Sequence, residues 1–134
     1  MRAMCAPTAV LAGGATAMIA IAVPALAATT VSETLTDYKI AGASSAKSGS
    51  VTFKVKNAAD DKHELIVINT ATKAGGLEVN AEGEASEKGR RGRVTVAGGQ
   101  TKALKLTLAK GHYALICNIG DHYTAGMRKD FSVR

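Results

Sequence analysis

Cys117, His122 and Met127 follow one another at five-residue intervals in the segment CNIGDHYTAGM, residues 117–127. One loop between two strands can fold a thiolate, an imidazole and a thioether spaced in this way around a single point. His63, at the head of a distant β-branched run, offers a second imidazole. Two imidazoles and a thiolate in one plane, with a weak thioether beyond it, suit copper in both its oxidation states. Zinc takes four strong ligands and has no use for a weak methionine, and iron–sulfur clusters usually need more thiolates. A ligand set acceptable to Cu(I) and Cu(II) alike reduces the rearrangement that accompanies each electron. The chemistry that this set supports is the passage of single electrons, with the thiolate as a covalent route to the metal.

Each of these residues also has a plainer reading. Cys117 alone is a small buried hydrophobe and Met127 a core methionine; His63 alone is a satisfied strand histidine. The four together favour ligation. His112 alternates out of phase with Tyr113, Leu115 and Cys117, so it is expected to point away from the ligand side, as a surface histidine. Tyr113 is expected to be structural. Ile119 and Tyr123 flank His122, either as contact surface for a partner or as local packing.

The elements that must position these groups are short strands. Val51, Phe53 and Val55 alternate with Thr52, Lys54 and Lys56, and Leu104, Leu106 and Leu108 alternate with Lys105 and Thr107. This is period two with one dry face. Residues 63–70, 111–117 and 129–134 and the pair Val94 and Val96 mark further strands. In residues 31–40 the apolar parity changes near Thr36, which suggests a bulge or bend that lets one strand serve two sheets. Turn chemistry separates the runs at Ser48-Gly49, Ala58 to Asp61, Gly98-Gly99 and Lys110-Gly111. The pattern predicts an all-β protein, a Greek-key antiparallel sandwich. Residues 71–92, rich in Gly, Glu, Lys and Arg, read as a long surface excursion with room for a short helix. Within it and just beyond, Lys88, Arg90, Arg91 and Arg93 read first as a solvated loop, and second as steering toward an acidic partner.

The amino-terminal part reads as a secretory signal peptide over residues 1–27. Arg2 precedes an uncharged stretch at residues 8–23, and Pro24 with Ala25-Leu26-Ala27 supplies a cleavage pattern before Ala28. The alternative is an uncleaved anchor, since the stretch is just long enough to span a bilayer. Cleavage leaves residues 28–134, the size of one small domain, with no stable membrane insertion. The chain's net charge is +6, and loss of Arg2 lowers it by one. Cys5 leaves as well, so Cys117 becomes a lone thiol in an oxidising compartment, where it is intermolecular, reactive or occupied.

The segment GHYALICNIGDHYTAGM resembles the copper loop of the cupredoxins, the plastocyanin, azurin and rusticyanin family, and VTFKVKNAADDKHELIVINT resembles the family's strand leading to its first histidine. The similarity covers nearly all of residues 28–134, and its pattern is that of small secreted bacterial members with a Cys-x4-His-x4-Met loop. The resemblance implies a cupredoxin domain of about eight strands with one copper at one pole. His63, Cys117 and His122 would be its strong ligands and Met127 its axial ligand. Two positions depart from the family. Asp121 precedes the second histidine, where an acid would favour Cu(II). Glu64 follows the first histidine, where members often carry an Asn or Ser that ties the two ligand loops together.

These readings point to an exported carrier, periplasmic or extracellular and monomeric, that moves electrons between redox protein partners. An enzyme is disfavoured, because catalytic metals keep an open position and no histidine adjoins Cys117 to wire a second copper. Copper trafficking or storage is the alternative, weakened by the single methionine and three histidines that follow the leader. A sandwich used only as an interaction module is a third reading. Nucleic acid is not an expected partner of an exported chain with 4% aromatic residues.

Overall fold

A computed structural model describes residues 13–23 and 27–134. Most of the features that define the expected leader, including Arg2, Cys5 and the Pro24-Ala25-Leu26 segment, lie outside the described residues. Residues 13–23 carry no regular element and are exposed. Among the described residues no helix is long and apolar enough to cross a membrane.

Nine strands follow in order: β1 (Thr29–Thr36), β2 (Lys39–Gly42), β3 (Ser45–Ala46), β4 (Gly49–Asn57), β5 (His63–Asn69), β6 (Arg90–Val96), β7 (Thr101–Leu108), β8 (Gly111–Ile116) and β9 (Arg128–Val133). A single 3-10 turn, Ala74–Gly76, lies between β5 and β6. The strands form two sheets, β2-β1-β4-β7 and β3-β9-β8-β5-β6. The period-two runs land where their alternation placed them. Val51, Phe53 and Val55 of β4 are fully buried while Lys54 and Lys56 are exposed. Phe53 of one sheet meets Phe131 of the other, their ring centroids 5.4 Å apart. Burying each such side chain contributes about 1.5–3 kcal/mol.

The expected antiparallel sandwich is a sandwich of mixed sheets. β1 pairs with β4 in parallel, as does β3 with β9, while the other pairs are antiparallel. The reason is topological: after β2 the chain crosses to the second sheet as β3, then returns beside β1 from the same end. The parity change near Thr36 is likewise not a bulge that shares one strand between two sheets. Thr36 pairs with Lys39, so Asp37 and Tyr38 form a two-residue hairpin turn within the first sheet. The crossing comes later, between β2 and β3.

The excursion after β5 does more than run over the surface. Ala74 and Ala85 are buried against Ile66, Ile68, Ala114, Ile116 and Tyr123 on the outer face of the second sheet. β5 is therefore covered on both faces, with Leu65 and Val67 in the main core. That is why its sequence is continuously apolar rather than alternating.

Strand direction collects four loops at one pole: Asp37-Tyr38, residues 58–62, residues 97–100, and residues 117–127. β8 reaches this pole through a fixed corner, since the Tyr113 hydroxyl donates to the Ala109 carbonyl at 2.8 Å. This is the structural role expected of Tyr113, and it anchors the strand that delivers Cys117.

Candidate metal centre

His63 opens β5, Cys117 follows β8, and Met127 immediately precedes β9. The loop between Cys117 and Met127 is closed by its own backbone. The Cys117 amide donates to the Met127 carbonyl at 3.1 Å, the Met127 amide to the His122 carbonyl at 2.9 Å, and the His122 amide to the Ile119 carbonyl at 3.1 Å. Gly120 takes the left-handed turn this path needs, with φ of 54°. The backbone of residues 117–127 is thus folded back on itself.

The ligand atoms of His63, Cys117 and His122 all lie within 4.8 Å of one another. The Nδ1 atoms of His63 and His122 are 3.2 Å apart, and the Cys117 sulfur is 3.6 Å from His122 Nδ1. Donors bound about 2.0–2.3 Å from one ion stand about this far from each other. His63 Nε2 faces the Asp37 carboxylate at 3.3 Å, and its Nδ1 faces His122. His63 and Cys117 are 1% and 0% exposed, and Met127 is 0% exposed; only His122 of the four is partly exposed. One soft thiolate and two imidazoles, two of the three sealed from water, fit a copper ion.

Burial pushes the Cys117 thiol above its ordinary range; the backbone amides of Ile119 and Glu64 act the other way, and the Glu64 charge adds to the rise. The Glu64 amide points at the sulfur, 3.5 Å away. The Glu64 carboxylate accepts from the Asn118 amide at 3.1 Å and stands 3.5 Å from the Arg93 guanidinium. Glu64 therefore ties the two ligand loops together in the place where an Asn or Ser was expected. Asn118 extends the brace, its amide side chain exchanging hydrogen bonds of 2.9 Å with the backbone of Ala85.

Several sequence-level alternatives resolve here. Tyr123 is local packing: it is buried, and its hydroxyl donates to the Ala74 carbonyl at 2.5 Å and accepts from the Leu77 amide at 3.2 Å. His112 lies outside the centre, as expected, between the Thr70 carbonyl and Asp130. The basic cluster is partly neutralised within the fold, because Glu87 pairs with Arg90 and Arg93 and Arg91 reaches the Asn69 side chain. Sequence reasoning missed the contacts of Asp37, Tyr38, Asn118 and Arg93. None of the four belongs to the ligand motif, and only Asn118 adjoins a motif cysteine.

Two mixed sheets packed in this order have the cupredoxin fold. Solved structures of that class superpose on the chain. The dithionite-reduced auracyanin of Roseiflexus castenholzii matches with a TM-score of 0.65 and 18% identity, over 81% of this chain and 98% of that one. Auracyanin A, a "blue" copper protein from Chloroflexus aurantiacus, gives 0.60 and 16% over 81% and 100%. Rusticyanin from Thiobacillus ferrooxidans gives 0.60 and 11% over 78% and 76%. No family model and no curated protein matches the sequence.

Proposed function

We propose that this chain is a mononuclear blue-copper electron carrier, with His63, Cys117 and His122 as the strong ligands and Met127 as the axial one. The observation that carries the reading is the convergence of a buried thiol and two imidazole nitrogens within 4.8 Å. Bound copper would accept one electron from a donor as Cu(II) and pass it to an acceptor as Cu(I). The chain's residues do the rest. The buried sulfur and His63 exclude water and substrate from their side of the centre, which suits a carrier and not a catalyst. The backbone bonds of residues 117–127 and the Glu64 brace hold the donors in one arrangement in either state. His122, the partly exposed donor, is the natural edge for electron exchange with a redox partner. The exported setting rests on the leader read in residues 1–27.

Copper trafficking is the competing use of such a centre. The test is to load the purified protein with Cu(II), cycle it with ascorbate and ferricyanide beside a competing Cu(I) chelator, and measure retained copper. A carrier keeps its copper through several cycles. Stoichiometric loss at the first reduction would favour trafficking.

A further inference from the structure

The turn between β1 and β2 touches both histidines of the centre, though it belongs to neither ligand loop. Asp37 places a carboxylate oxygen 3.3 Å from His63 Nε2, the ring nitrogen that faces away from His122. Its neighbour Tyr38 sets its ring edge-on to His122, with centroids 5.4 Å apart and planes at 85°. Tyr38 does this from a left-handed backbone, φ 60°, as the only non-glycine residue with positive φ among those described. Two-residue hairpin turns favour Asn-Gly or Asp-Gly, because glycine enters that region freely; a bulky aromatic enters it at a cost. An aromatic side chain in the glycine place of a turn, half exposed yet set edge-on against a metal-site histidine, marks a position where the ring is used. Asp37 is 70% exposed, so its side chain adds nothing to the core that would otherwise explain its position against a buried imidazole.

We infer that the Asp37–Tyr38 turn is a positioning clamp for the two histidines, an inference that rests on the copper reading of the centre. Asp37 accepts the Nε2–H of His63, fixing the tautomer that leaves Nδ1 free to ligate. Tyr38 holds the His122 ring in its ligating orientation. Both residues are positioning groups and bind no metal themselves.

The experiment has a metal-free arm and a copper arm. In the metal-free protein, nitrogen-15 correlation spectra of the imidazoles report the His63 tautomer. Wild type and Asp37→Asn should show the Nε2–H form, since an amide oxygen still accepts the proton, and Asp37→Ala should lose that preference. In the copper arm, Asp37→Ala should weaken Cu(II) binding by about 10–100-fold, and Cu(I) binding by less. Each tenfold difference between the two raises the potential by about 59 mV for a one-electron couple. Tyr38→Gly should be more resistant to urea than wild type yet bind Cu(II) more weakly. Unchanged tautomer populations or unchanged Cu(II) affinity in Asp37→Ala would overturn the clamp at His63; Tyr38→Gly with wild-type affinity would overturn it at His122. Wild-type protein that takes up no copper would instead refute the copper reading, while the tautomer spectra still decide the role of Asp37.

Discussion

Replacing Lys129 with methionine tests an ion pair that crosses the interior of this sandwich. Glu33 sits on β1 between Val31 and Leu35, facing inward, and is 1% exposed. Lys129 reaches it from β9 of the opposite sheet, Nζ to Oε2 at 2.6 Å, while the other carboxylate oxygen has no hydrogen-bond partner. Gly42 leaves the room this requires, for a Cβ there would stand 2.2 Å from the Ser32 carbonyl and 2.8 Å from the Glu33 carboxylate. Burial raises the Glu33 carboxyl above its ordinary value, and Lys129 opposes that rise. Removing one member of a buried pair costs about 3–5 kcal/mol, whereas replacing both with apolar side chains is often neutral or stabilising. The cost should depend on pH, because an unpaired buried carboxyl escapes its penalty by keeping its proton. The folded state then holds a proton that the unfolded chain has released, so stability falls as pH rises from the unfolded carboxylate value through the raised folded one. In urea, with a slope of about 1–3 kcal/mol per molar, Lys129→Met should lower the midpoint by roughly 1–5 M at pH 8 and by clearly less at pH 5. Glu33→Leu/Lys129→Met should return to within about 1 kcal/mol of wild type. Equal losses at both pH values, or a double variant as unstable as Lys129→Met, would refute this account of the pair.

Met127→Gln should keep the charge-transfer colour but lower the reduction potential, since an oxygen donor favours Cu(II); voltammetry checks this, and an unchanged potential removes Met127 from the axial position. Because burial keeps the Cys117 thiol protonated, metal uptake must release that proton. Apparent copper affinity should therefore rise about tenfold per pH unit per proton released, measured by competition at pH 5–7. The Ala74 amide holds the Asp130 carboxyl below its usual range against the opposing effect of burial, with His112 and Lys73 aiding it. Its contribution is present above the ordinary aspartate value and lost as pH falls through the lowered one. Asp130→Asn should flatten that part of the acid-unfolding curve, and an unaltered curve would count against it.

The approach of Cys117 to His122 was legible because both lie in one loop, where chain order and spatial order coincide. The inward parity of β4 and β8 was legible for a related reason: alternation is a local signal that a sheet preserves. The parity change at Thr36 was visible too, but a bulge and a hairpin produce the same change, and only the pairing of Thr36 with Lys39 separates them. Parallel pairing of β1 with β4 depends on a crossing that no local pattern encodes. The cover over Ile66 and Ile68 comes from an excursion whose composition looks solvent-exposed, because only Ala74, Ala85 and Leu77 supply its apolar contacts. Asp37 lies 26 residues from His63 and Glu64 is 54 residues from Asn118. Their roles are set by tertiary packing, so a motif scan passes over the first and leaves the second open.

A bond between Cys117 and a copper ion also held by His63 and His122 is read out by the visible absorption spectrum of the purified protein on addition of Cu(II), beside Cys117→Ser treated in the same way. An intense orange-red band is expected in the wild type that bleaches with ascorbate, returns with ferricyanide, and is missing from the variant. No band in the wild type, or the same band in Cys117→Ser, would contradict such a bond.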